Sequence, residues 1–158
     1  MNLLPFFQWC EGSWLGSSIR ASQFMFPVIE AFHLVALAFI GGAILLVDFR
    51  LLGFIMKQQP VRALAAETQP YLVGSLIVMI ITGTLLFMSE SVKCYYSAAF
   101  WLKMEALLIA LVFTFTIRTR VTRDESVRNT ARRQVLVGAL SMALWFTVAA
   151  SGRWIGFS

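Results

Sequence analysis

One histidine stands in this chain, His33, inside the apolar stretch FPVIEAFHLVALAFIGGAILLVDFRLLG of residues 26–53. Glu30 precedes it by less than one helical turn, and the stretch closes on Asp48 and Arg50. A neutral imidazole in apolar surroundings can ligate haem iron, bind a quinone carbonyl or relay a proton. It can equally be a structural histidine with a satisfied ring. Bis-histidine ligation of haem b would need a second ring, from a second copy or a partner subunit, unless a methionine serves instead. Two further charged groups, Lys103 and Glu105, interrupt the apolar run AAFWLKMEALL, and Arg153 follows the small residues AASG. An ionisable residue inside a membrane is costly and marks function by default. Glu30, His33, Lys103, Glu105 and Arg153 are therefore the candidate cofactor-binding set, with His33 the candidate metal ligand through haem iron. Their charges also balance, Glu30 and Glu105 against Lys103 and Arg153, so a structural ion-pair knot that sets helix register accounts for them as well.

Bringing these groups together requires four membrane spans. The uncharged run after His33 is too short to cross a bilayer alone, so Glu30 and His33 must lie within the membrane near one end of the first span. Glu30 and Asp48 are five helical turns apart and share a face, with Leu37, Gly41 and Ile44 close to the same line. This seam should pack against protein, not lipid. The spans are predicted at residues 24–47, 71–88, 99–117 and 134–152. Spans 1 and 3 enter from the face where span 4 leaves, so the five candidates can meet at one level. Ser75 and Thr82 share a face of span 2 and offer a small, hydrogen-bonding contact line. Pro60 and Pro70 mark a loop with a short surface helix at 61–67. Residues 89–98 read as a short loop and 118–133 as an arginine-rich one. Before span 1, Phe6, Phe7, Trp9 and Trp14 alternate with polar residues, the pattern of a segment lying in the membrane interface. Ser22 is placed to cap the helix that follows.

The fold class is thus all-α: a four-helix transmembrane bundle with an N-terminal interfacial segment, one integral membrane domain over residues 1–158. Composition agrees, with 59% hydrophobic and 13% charged residues, where soluble domains carry about 25% charged. The net charge of +5 does not signal nucleic acid. Arg50, Lys57, Arg62, Arg118, Arg120, Arg123, Arg128, Arg132 and Arg133 all fall in the loops after spans 1 and 3. The opposite side has Arg20, Lys93, Lys103 and Arg153. Positive charge stays inside, which predicts a bacterial inner membrane with both termini periplasmic and anionic lipids as the partner of the basic loops. Cys10 and Cys94 then share the outer side, where disulfides persist. A Cys10–Cys94 bridge and two unpaired thiols are both open, since spacing does not establish geometry. The N-terminus has no basic run and no A-x-A-like site, so it is expected to be retained. Without a Ser/His/Asp set, CxxC, HExxH, P-loop or glycine-rich fingerprint, a self-contained enzyme is the least supported class. The absence of repeated halves argues against a lone transporter.

Three stretches carry a resemblance: SIRASQFMFPVIEAFHLVALAFIGGAILLVDFRLLG (18–53), GTLLFMSESVKCYYSAAFWLKMEALL (83–108) and ALWFTVAASGRWIGF (143–157). They resemble a bacterial family of small four-span membrane proteins of unknown function, itself similar to the larger copper-resistance D-type membrane proteins. The resemblance implies shared positions at Arg20, Glu30, His33, Asp48, Arg50, Lys103, Arg153 and Trp154. Some relatives place a further histidine in span 3, where this chain has VFTFTIRTR (112–120), so a two-histidine haem or copper site does not carry over. The expected role is a non-catalytic integral subunit of a larger, redox-linked membrane complex, holding a haem or quinone near His33. Membrane lipids, other subunits or further copies are its expected partners. The alternative is an oligomeric carrier or channel for ions or small molecules, using Glu30, His33 and Glu105 as a relay.

Overall fold

Hydrocarbon offers no partner to a backbone N–H or C=O, so a chain this apolar must close its hydrogen bonds within helices. The computed structural model describes residues 3–123 and 131–155, and every regular element among them is helical. Two short helices come first, α1 (Leu4–Gly12) and α2 (Trp14–Ala21). The first span is α3 (Met25–Leu51) and the second α4 (Val61–Ser89), followed by the short α5 (Ser91–Tyr96). The third span begins as α6 (Ala98–Phe113), widens into a π turn at Thr114–Arg118 and ends as α7 (Thr119–Arg123). The fourth is α8 (Ala131–Ile155). These four spans have 27, 29, 26 and 25 residues and are long and apolar enough to cross a membrane. At about 1.5 Å per residue each exceeds a hydrocarbon core of about 30 Å. Large side chains such as Phe32, Phe39, Leu108, Leu136 and Phe146 stay exposed around the bundle, where lipid rather than water would meet them.

The buried stripe of α3 runs through Ala36, Ile40, Ala43, Ile44, Val47, Asp48 and Leu51, the three-and-four spacing of a helix with one packed side. It meets Leu72, Leu76 and Met79 of α4, Ala106 and Ala110 of α6, and Trp145 and Val148 of α8. A second cluster, Val47, Leu51, Leu64, Phe113, Val121 and Val137, closes the end of the bundle that carries the arginine-rich segment. Close helix packing joins α3 to α4, α3 to α8 and α6 to α8.

Three sequence expectations change. Pro70 does not end a loop: α4 runs through it as one helix, so the surface helix at 61–67 and span 2 are a single element. Proline removes one N–H, and Thr68 helps hold the turn before it by donating its hydroxyl to the Leu64 and Ala65 carbonyls. Residues 91–96, read as loop, form α5. The N-terminal segment is two helices joined at Ser13, whose hydroxyl accepts from the Gly16 amide at 3.2 Å. Arg118 and the residues up to Arg123 are helical, not loop, and Arg118 is buried. Asp124, Glu125 and Arg128 of the predicted loop lie outside the described residues. Phe24, not Ser22, holds the N-cap position of α3, but the Ser22 hydroxyl still accepts from the Phe24 and Met25 amides.

The two N-terminal helices dock on the α4–α5 corner through polar contacts that few other residue types could make. Glu11 pairs with Arg20 at 2.5 Å and accepts from the Val92 amide at 2.7 Å, capping α5. Arg20 also donates to the Ser89 carbonyl, and the buried Ser91 hydroxyl donates to the Phe7 carbonyl at 2.8 Å. Gly16 makes the docking steric as well as polar: a Cβ there would run into the Met88 carbonyl.

Candidate functional site

A cavity of about 290 Å³ opens among α3, α4, α5, α6 and α8, at the end of the bundle that carries α1 and α2. This is the lower edge of the size range of small-ligand sites, about 300–1,000 Å³. Its deep end is apolar, with Leu37, Met79 and Val148. Its mouth is charged, with the exposed Glu30, Lys93 and Arg153. Phe26, Phe87 and Phe100 line the walls between. Phe87 and Phe100 stack with ring centroids 5.6 Å apart and planes 17° from parallel.

Two polar groups sit between floor and mouth, each against a glycine. The first is His33, whose Nδ1 lies 2.9 Å from the Thr82 hydroxyl. That hydroxyl donates to the Val78 carbonyl at 2.7 Å, the usual habit of threonine inside a helix. The ring lies over Gly83, where a Cβ would come within 3.1 Å of Cε1, so Gly83 is the notch that admits the imidazole. The second is Lys103, whose stem passes Gly152 of α8, with Nζ 3.4 Å from where a Cβ would be. Lys103 makes no ion pair or hydrogen bond to any described residue. Lys103 lies within electrostatic reach of both His33 and Cys94.

Four of the five predicted site residues, Glu30, His33, Lys103 and Arg153, line this one cavity. Glu105 does not. Two positions along α6 from Lys103, it is turned about 200° away and is exposed on the outside of the bundle. The expected knot is therefore not formed, since Glu30, Glu105 and Lys103 make no ion pair among the described residues. Of the three residues of the alternative relay, Glu30 and His33 line the cavity and Glu105 does not. Glu30 sits at the mouth, and the seam it was to share with Asp48 is buried only from Ala36 onwards.

Cys10 and Cys94 are both buried, and they are free thiols, not a bridge. Cys94 lines the cavity on α5, while Cys10 is buried on α1. Burial pushes the Cys94 thiol up to about 11, and the Glu90 carboxylate adds to this, against Lys103 and Lys93. Among the described residues no cluster of three or more His, Cys, Asp or Glu side chains has metal-binding geometry.

The sequence reading missed a second polar centre at the opposite end of the bundle. Asp48 is wholly buried and accepts from Arg118 Nε at 2.8 Å. Arg118 also donates to the Ile44 carbonyl, and Trp145 Nε1 donates to the Thr114 hydroxyl at 3.0 Å inside the π turn. The Asp48 Oδ2 and Ser141 hydroxyl beside them make no hydrogen bond of good geometry among the described residues. A signal was present: spans 1 and 3 run in the same direction, so Asp48 and Arg118, each just past its apolar run, must end at one depth. In sequence, Arg118 reads as one of the topology charges of the arginine-rich loop. Arg50 likewise is more than a loop charge, donating to the Lys57 and Gln59 carbonyls and so folding the turn between α3 and α4.

Four long apolar helices, a charged-mouthed cavity among them and a buried ion pair at the far end define a small multi-pass integral membrane protein. The chain belongs to a family of unknown function (DUF6644), whose model matches residues 6–158. No curated protein and no solved structure matches the chain significantly.

Proposed function

We propose that this protein is a non-catalytic integral subunit of a larger, redox-linked complex in a bacterial inner membrane, and that it holds a small ligand, a haem or a quinone, beside His33. The observation that supports this is the cavity itself. An imidazole and a lysine with no ion-pair or hydrogen-bond partner among the described residues line one pocket between the spans, each seated over a glycine on a neighbouring helix. An unpaired ammonium in such a place costs several kcal/mol unless something answers it, and a bound ligand is the simplest answer. Both termini would be periplasmic, as the basic residues between spans 1 and 2 and between spans 3 and 4 favour. The cavity mouth would then face the outer leaflet.

The test is purification from native membranes in mild detergent. The expected result is a protein that carries partner subunits and an extractable haem or quinone, the small molecule being lost in His33→Ala while the bundle still folds. A chain that purifies alone, with an empty cavity that takes up no small molecule on addition, would end this reading.

A further inference from the structure

We infer that the cavity takes the flat head of a quinone-class ligand and holds the reduced, hydroxyl-bearing form more tightly than the oxidised one. This rests on the reading of the cavity as a ligand site and adds the ligand's chemistry. The first support is the state of the imidazole. The Thr82 hydroxyl spends its hydrogen on the Val78 carbonyl, so towards His33 its oxygen can only accept. The Met79 carbonyl, which also takes a hydrogen bond from the ring, can likewise only accept. We assign the neutral ring's hydrogen to Nδ1, beside the Thr82 oxygen, which leaves Nε2 as the acceptor that faces the ligand. The second support is Lys103, which can only donate and likewise has no partner among the described residues. A matching ligand must offer an O–H to one and an oxygen lone pair to the other.

Shape narrows the class further. The stacked Phe87 and Phe100 rings form a flat aromatic wall, which suits a planar ring better than an acyl chain. Leu37, Met79 and Val148 close the deep end, so the space of about 290 Å³ is of head-group scale. A hydroquinone fits both polar groups. One hydroxyl donates to His33 Nε2 and the other oxygen accepts from Lys103 Nζ. An oxidised quinone brings only acceptors, satisfies Lys103 and sets a carbonyl lone pair against Nε2.

The experiment uses the full chain in detergent, titrated with a decyl-substituted benzoquinone, its hydroquinone under anaerobic reductant, and oleate as a ring-free anionic amphiphile. Binding is followed by calorimetry. The hydroquinone is expected to bind about tenfold or more tighter than the quinone, the scale of one hydrogen bond gained without leaving an acceptor unmade. That ratio should fall towards one in His33→Phe. It should also shrink in Gly83→Ala, which keeps both polar groups but pushes the ring, and which reads the preference even where His33→Phe does not fold. Lys103→Met should weaken both forms by about tenfold or more. Equal or tighter binding of the oxidised form overturns the inference. Binding of oleate but of neither quinone form overturns the ligand class and leaves the ligand site standing. Binding of none of the three, by a protein that also carries nothing from native membranes, sinks both.

Discussion

Asp48 shows how one buried carboxylate organises its surroundings. With no exposure to solvent, it must have a cation, and Arg118 reaches it from the π turn of the third span. Removing one partner of such a pair strands the other, at about 3–5 kcal/mol, whereas removing both with apolar residues is often nearly neutral. Arg118→Leu should therefore lower the stability of the bundle by about that amount, and Asp48→Leu combined with Arg118→Leu should recover most of it. Thermal melts of the purified variants measure this, and a double variant no better than the single would refute it. Cys94 makes a second expectation at this scale. Its thiol titrates near 11 instead of its ordinary 9.0, so at neutral pH it should hold about a hundredfold less thiolate than a free cysteine. Maleimide labelling in the folded protein should be correspondingly slow and should rise about tenfold per pH unit until near 11. The unfolded chain loses this proton first, so Cys94 also works against stability once pH passes about 9. Denaturation without reductant should open both Cys10 and Cys94 to alkylation. Labelling that requires prior reduction would mean that a bridge had formed.

At the scale of elements, the N-terminal helices are a docked cap held by Glu11, Arg20, Ser91 and the close approach at Gly16. The Met88 carbonyl is helix backbone and cannot step aside as a side chain tip could. Gly16→Ala should therefore lever α2 off α4 and cost about 1–3 kcal/mol, as overpacking does. Hydrogen exchange over residues 3–21 should rise several-fold in this variant while the four spans keep their protection. Unchanged exchange would show that α2 accommodates the methyl group. The periodicity of aromatic and polar residues foretold an interfacial segment, but not this docking, because its contacts are to backbone carbonyls and amides of a corner far away in sequence. Pro70 misled for a related reason. In water a proline before an apolar run is a fair helix boundary. In a membrane helix the turn before it can be held by a threonine hydroxyl, and the helix continues.

The whole molecule joins two polar ends by an apolar middle. One end is the locked Asp48–Arg118 pair, and the other is the cavity with His33 and with Lys103, which has no partner among the described residues. The proposed orientation places the cavity end outside the cytoplasm. Alkaline phosphatase fused at the C-terminus should therefore be active, and a fluorescent protein fused there dark, with the reverse for fusions after Arg62. The opposite pattern would overturn the proposed topology and the placing of the cavity in the outer leaflet. In either orientation His33→Ala should leave the fold intact, since its polar ties, to the Thr82 hydroxyl and the Met79 carbonyl, are each worth only about 1 kcal/mol.

The sequence by itself determined that this chain is four apolar helices with a short aromatic preface, because length, hydropathy and the cost of burying charge in hydrocarbon allow little else. It also put Glu30, His33, Lys103 and Arg153 near one level, since antiparallel spans return charged ends to the same depth. Tertiary structure alone decided which of them share a space. Helix rotation about its axis is set by packing, and it turned Glu105 outwards, seated His33 on Gly83 and Lys103 on Gly152, and joined Asp48 to Arg118. A rotation of one residue, about 100°, separates a cavity wall from a lipid-facing surface, and the weak amphipathicity of membrane helices leaves that angle to the neighbours.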